Sequence, residues 1–173
     1  MPTIGPMIAA SARLGIAYAQ RLCVGIEPAD FARFARVGDH IIESNHPAFI
    51  CGHLSLYPCR ILQDLGHDAS EFEPSPRYQE LFSKDAKCAD DPAATIYPGM
   101  TELTSKLLAG SQAVCEALET ASDDLLTVPN SNEVMRSRFP TQGAMHAFYT
   151  GGHFMVHMGQ LSAWRRAMGL PAA

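Results

Sequence analysis

The chain has few charged residues and no concentration of positive charge. Charged side chains make up 18% of its 173 residues, and its 13 Lys and Arg residues are scattered along the sequence. A nucleic-acid-binding surface shows as a cluster of basic residues, so this distribution argues against DNA or RNA as a partner. The length, together with a hydrophobic content of 47%, suits one well-buried core. We therefore expect a single globular domain over residues 1–173.

The cysteines lack the spacing of a disulfide framework or of a thiolate zinc site. They are odd in number, and no two of them form a Cys-x-x-Cys pair. Reduced thiols in the cytoplasm are the simplest interpretation of this pattern. The five positions are Cys23, Cys51, Cys59, Cys88 and Cys115.

No segment reaches the roughly 18 uncharged apolar residues that a transmembrane helix requires. The stretch from residue 4 to residue 19 is rich in small apolar residues, but Arg13 interrupts it and no basic region precedes it. A secretory signal peptide needs an uninterrupted apolar region preceded by a basic region, so we interpret the stretch as a first helix. We expect a soluble, cytoplasmic protein with no membrane partner.

Convincing strand alternation is also absent, whereas apolar residues recur at helical intervals in four long stretches. The predicted helices cover residues 6–24, 47–66, 100–121 and 141–168, which places the protein in the all-α class. The second helix begins where Asn45 can cap it and Pro47 can occupy its first turn. The connection at 67–98 is long and rich in Pro, Asp and Ser, so the second and third helices should run parallel through a crossover. Residues 123–140 are predicted to form a loop.

Two histidines, His153 and His157, lie four residues apart inside the last predicted helix. At this spacing both side chains leave the same helix face, with Cβ atoms about 6 Å apart, so both can reach one divalent metal ion. Zinc proteases use a similar helical pair, but there Glu follows the first histidine as general base. Phe154 occupies that position here, which excludes the protease mechanism. The pair indicates a metal site in need of a third ligand, although its spacing alone leaves a pair of surface histidines equally open.

The third ligand should come from a facing helix, because metal sites in helical bundles are built from inward side chains of separate helices. His53 is the leading candidate, since it lies midway along the most apolar predicted helix and should be buried. The other histidines are weaker candidates, because they fall in connections, at a helix entry or too far from His153. These are His40, His46, His67 and His146.

Three segments of the chain form a combined pattern. Residues 45–54 read NHPAFICGHL, residues 97–103 read YPGMTEL, and residues 153–161 read HFMVHMGQL, followed by RRAMGLP at 165–171. In this order, from the second helix to the end of the chain, they resemble the DinB-like superfamily. Phe49 stands where that family commonly has Trp, and Cys51 lies two residues before the expected ligand. Both changes preserve bulk and leave the metal prediction unchanged.

The resemblance implies a four-helix bundle with up-down-down-up topology and a long crossover between helices 2 and 3. It also implies a divalent metal ion, nickel, zinc or iron, held by His53, His153 and His157. Homodimers are common in such proteins. Members with known activity include thiol-dependent S-transferases, a thiol-dependent isomerase and some hydrolases.

Three imidazoles would leave coordination positions of a bound ion open, which suits activation of water or binding of a substrate thiolate. No carboxylate base lies on the helix face that carries His153 and His157, which favours the thiol. Tyr57, Arg60 and Gln160 lie one or two turns from the histidines and are candidates to orient a substrate, although packing or a surface ion pair would also explain them. We expect a metal-dependent transferase or hydrolase acting on a small molecule, such as a low-molecular-weight thiol. The alternative is a non-catalytic dimeric stress or interaction module with a structural metal.

Overall fold

The computed structural model describes residues 1–173 and is mostly helical, as the sequence predicts. Short 3-10 turns lie at Ser70–Phe72 and Glu133–Met135. The α-helices are α1 Ile4–Cys23, α2 Pro47–Leu54, α3 Pro58–Asp64, α4 Pro76–Phe82, α5 Met100–Thr120, α6 Asp123–Thr127, α7 Gln142–Ala147 and α8 His153–Ala167.

One antiparallel hairpin contradicts the prediction of a chain without strands. It consists of β1 Ala35–Val37 and β2 His40–Ile42, with Val37 paired to His40. Gly38 has a φ of 58° in the connecting turn, a conformation that favours a tight two-residue hairpin turn. Each strand has only three residues, so no alternation could develop along the sequence.

The second predicted helix is interrupted, so its expected single span of 47–66 is wrong. It forms α2 and α3, with a break at residues 55–57. Pro58 has no N–H to continue the α2 ladder, and the Ser55 hydroxyl donates to the Cys51 carbonyl at 2.7 Å. Pro47 occupies the first turn as predicted, but His46 provides the cap, because its Nδ1 accepts from the Phe49 N–H at 3.2 Å.

The last predicted helix begins and ends as expected but is not uniform. Thr141 caps α7 by accepting from the Ala144 N–H, and Gly169, with a φ of 77°, ends α8. Between α7 and α8, Phe148–Gly152 forms one π-helical turn. The segment at 123–140, predicted as a loop, contains α6 and a 3-10 turn, because Ser122 caps α6 by accepting from the Leu125 N–H.

Helix α1 packs against α5 and α8, while α2 and α3 both pack against α5. The core has two clusters. One surrounds α2 and includes the rings of Phe49, Phe82 and Trp164, and the other joins the first half of α1 to α3, α6 and the second half of α5. None of the helices has the combination of length and apolar character that crossing a membrane takes.

Candidate metal centre

Three imidazoles converge between α2 and α8. His53 comes from α2, and His153 and His157 come from α8. The Nε2 atom of His153 lies 3.4 Å from Nε2 of His53 and 3.2 Å from Nε2 of His157, and all three ligand atoms lie within 4.8 Å of one another. The structure therefore brings together the three histidines that the sequence selected.

The hydrogen bonds made by Nδ1 of His53 and of His157 determine that Nε2 of each ring is the nitrogen that can bind a metal ion. The Nδ1–H of His53 donates to the Phe82 carbonyl at 2.7 Å, and the Nδ1–H of His157 donates to Oε1 of Gln160 at 2.9 Å. A proton on Nδ1 of a neutral imidazole leaves a lone pair on Nε2. Two lone pairs therefore point into the centre of the cluster.

The spacing of these atoms fits a metal ion. Zinc–nitrogen bonds of about 2.0–2.1 Å place two ligands of a tetrahedron about 3.3 Å apart, close to the observed 3.2 and 3.4 Å. Without an ion, a proton on Nε2 of His153 can be donated to only one of the two facing lone pairs, and the Tyr57 hydroxyl, 3.0 Å from Nε2 of His53, can donate to the other. The three donors therefore form a set that one cation would satisfy.

Burial keeps all three imidazoles in the neutral form that binds metal. Desolvation lowers the pKa of His53 and, with a contribution from the neighbouring His53 ring, that of His157. Desolvation and the two neighbouring imidazoles together lower the pKa of His153 to about 4. At neutral pH the cluster has no proton to lose before it binds an ion.

Aromatic rings surround the cluster. The Tyr57 and Tyr149 rings stack with centroids 4.8 Å apart, and each contacts the His153 ring edge-on. The Tyr57 hydroxyl lies 3.0 Å from Nε2 of His53, on the side where an ion would bind. Burial raises the pKa of Tyr57 to about 12, so the hydroxyl keeps its proton. Tyr57 is thus the predicted orienting residue that contacts an Nε2 atom of the cluster.

The other two predicted orienting residues, Gln160 and Arg60, contact other groups. Gln160 lies behind His157, and its Oε1 also accepts from Nδ2 of Asn45 at 3.2 Å. Arg60 lies beside Asp64 at 3.7 Å and lines a pocket whose walls include none of the three clustered histidines. No sequence signal marks the Phe82 carbonyl, because any residue can provide one, or the contact from Asn45, which is distant in sequence. Tyr149 lies one turn before His153 and could have been found from that spacing.

The remaining histidines do not join the cluster. His40 and His67 are exposed. His46 caps α2, and its Nε2 contacts the Ala89 carbonyl at 2.9 Å. His146 is fully buried near Arg60. These positions agree with their lower rank as candidate ligands.

No protein-family model, curated protein or solved structure matches this chain. The resemblance to the DinB-like superfamily therefore stays a prediction from the three sequence segments. The function has to be argued from the geometry of the three histidines.

Proposed function

We propose that His53, His153 and His157 bind one divalent metal ion and that the protein is a metal-dependent enzyme acting on a small molecule. The convergence of the three Nε2 atoms, two of them with fixed lone pairs, is the observation that carries this proposal. Nickel, zinc and iron all suit nitrogen ligands of this kind. A thiol-dependent S-transfer or a hydrolysis is the reaction type we propose.

The ligand set favours a catalytic over a structural role. The cluster contains three residues, with no fourth His, Cys, Asp or Glu. Structural zinc sites are closed by four protein ligands, whereas catalytic sites keep a position for water or substrate. The half-buried side chain of His153 also leaves the centre less sealed than its two buried neighbours do.

The residues around the three histidines would have different roles in such an enzyme. A bound divalent ion would supply Lewis acidity, which lowers the pKa of a water or thiol. The Phe82 carbonyl and Gln160 hold His53 and His157 in the tautomer that points Nε2 inward. The Tyr57 hydroxyl can donate a hydrogen bond to a substrate atom beside His53, while the Tyr57–Tyr149 pair excludes water from one side.

We further propose that the helices form an up-down-down-up four-helix bundle of the DinB-like type. The contacts of α1 with α5 and α8, and of α2 and α3 with α5, support this arrangement. So does the long connection between α3 and α5. We also propose a cytoplasmic homodimer: the resemblance supports the dimer, and the five free cysteines support a reducing compartment.

The proposal predicts one metal ion per chain that depends on the three histidines. Untagged protein should bind one equivalent of nickel, zinc or iron, and His53→Ala, His153→Ala and His157→Ala should each reduce the bound metal at least tenfold, because each removes a ligand. The measurement is elemental analysis after dialysis.

His40→Ala, at an exposed histidine, provides the matched control and should keep the full metal content. Circular dichroism should show that each variant is folded. Unchanged metal content in all three ligand variants would show that the site is wrong, and metal binding without any turnover of thiol or ester substrates would favour the structural alternative.

A further inference from the structure

Tyr57 and Tyr149, whose rings contact His153, also line a pocket of about 330 Å³. The cluster of His53, His153 and His157 is called the histidine centre below. None of the three clustered histidines lines it. Its walls come from α3, the end of α4, the 3-10 turn after α6, and α7. The pocket is therefore a separate space that borders the centre through two aromatic rings.

Buried polar atoms without partners distinguish this pocket. His146 is fully buried in its wall, and neither ring nitrogen has a hydrogen-bond partner. Oδ2 of Asp64 is likewise buried without a hydrogen bond, and the nearest cation, Nε of Arg60, is 3.7 Å away. Buried polar groups in folded proteins are nearly always paired. Two such residues on one pocket indicate groups that a ligand completes.

The charges of the pocket favour an anion. Arg60 and Lys84 are its two cations, and Asp64 is its one carboxylate, so the lining carries a net positive charge. Arg60 is held only by its long contact with Asp64, and more than half of its side chain is exposed. A guanidinium in this situation can bind a carboxylate through two parallel hydrogen bonds.

The rest of the lining is partly apolar. Met135 and Met145 line the pocket together with His146, and Leu56 and Ile61 contribute from the α2–α3 side. Methionine side chains are unbranched and adapt to a bound group at low cost. They can therefore shift to let a ligand reach the buried nitrogens of His146.

We propose that this pocket binds a small organic acid that carries a hydroxyl group beside its carboxylate and an apolar side chain. The carboxylate pairs with Arg60 and Lys84. The hydroxyl donates to Asp64 and accepts from the N–H of His146, and the apolar group packs against the methionines. This binding needs no metal ion, so it stands apart from the proposal for the histidine centre.

Three matched probes test the chemistry: 3-phenyllactate, 3-phenylpropionate, which lacks the hydroxyl, and 3-phenylpropane-1,2-diol, which lacks the charge. Calorimetry on protein treated with EDTA should show 3-phenyllactate binding about tenfold or more tightly than either of the others, because a hydrogen bond to a charged group contributes that much. The diol should be the weakest of the three.

Two variants assign the contacts. Arg60→Gln should weaken both acids about tenfold and leave the diol unchanged. His146→Leu should reduce the preference for 3-phenyllactate over 3-phenylpropionate, because the hydroxyl then keeps only its hydrogen bond to Asp64. Arg166→Gln, at an exposed arginine on α8 outside the pocket, is the matched control and should leave all three affinities unchanged.

Equal affinity for 3-phenyllactate and the diol would overturn the proposal, and so would unchanged acid binding in Arg60→Gln. Acid binding that is lost in His157→Ala but kept in Arg60→Gln would place the ligand at the histidine centre instead. Arg60 is largely exposed, so its variant should fold even if His146→Leu does not, and circular dichroism checks both.

Discussion

A single oxygen atom sets the orientation of His157. Oε1 of Gln160 accepts from Nδ1–H of His157 at 2.9 Å and from Nδ2 of Asn45 at 3.2 Å. Because both partners donate to the same oxygen, the side-chain amide has one favoured orientation. Gln160, three positions after His157 in the third segment, lies on the helix face that allows this contact.

Gln160→Leu should weaken metal binding about 10- to 100-fold, the range found when the partner of a metal-ligating histidine is removed. The loss arises because the Nδ1–H of His157 then has no acceptor, so its ring can rotate. Competition with a chromogenic chelator measures the affinity.

Gln160→Glu retains an acceptor oxygen and should preserve metal affinity within a few fold. A Leu variant that binds metal as tightly as the unaltered protein would show that Gln160 does not position His157. Equal losses in Leu and Glu would point to the amide N–H₂ rather than to the oxygen.

At the scale of the elements, α2 and α4 meet through a glycine. A Cβ on Gly52 would overlap the ring of Phe82, which lies against α2 at this point. The backbone carbonyl of Phe82 accepts from Nδ1–H of His53. The close approach of the two helices therefore places an acceptor behind His53.

Gly52→Ala should lower the free energy of unfolding by about 1–3 kcal/mol, the usual cost of overpacking a core. It should also weaken metal binding, because displacement of Phe82 moves the acceptor of His53. Urea denaturation measures the first effect and chelator competition the second.

The matched control is Gly159→Ala on α8, where an added Cβ would meet no atom within 4 Å. This substitution should stabilise the protein by about 0.5–1 kcal/mol, because glycine is unfavourable inside a helix. Stabilisation by both substitutions would contradict the tight contact at Gly52.

The sequence predicted the helical class and the ends of long elements because caps and glycine stops are local signals. Thr141 and Gly169 bound the last helical region as expected. The break before Pro58 could have been predicted from the proline itself. The hairpin could not, because its strands are three residues long and are held by a turn rather than by hydrophobic alternation.

The histidine cluster was predictable for a different reason. Residues 153 and 157 share a helix face by spacing alone, and His53 stood out because it interrupts an apolar helix. The positions of Arg60 and of the buried His146 could not be predicted. They depend on how α3 and α7 pack, which no local pattern encodes.

For the molecule as a whole, stability should depend on pH through buried histidines. Burial, assisted by the nearby positive charge of Arg60, lowers the pKa of His146 to about 4. Below its usual pKa of 6.5 the unfolded chain takes up a proton that the folded protein does not. The free energy of unfolding therefore falls as the pH drops from about 6.5 towards 4.

Between pH 7 and pH 5, His146 should account for a loss of about 2 kcal/mol, at 1.36 kcal/mol per pH unit below 6.5. His146→Leu should be less sensitive to acid by that amount, while His67→Leu, at an exposed position, should behave like the unaltered protein. Urea denaturation at both pH values, with EDTA present, measures this. Equal acid sensitivity of His146→Leu and the unaltered protein would contradict the prediction.

The single π-helical turn at Phe148–Gly152 allows one continuous helical rod to serve two separate spaces. His146 and His153 are seven residues apart, a spacing that in a regular α-helix puts both side chains on one face. One extra residue in a turn changes the phase of everything beyond it by about 100°. The rod thus presents His146 to the pocket beside Arg60 and His153 to the cluster with His53 and His157, and a regular α-helix over the same residues would turn both histidines to one face.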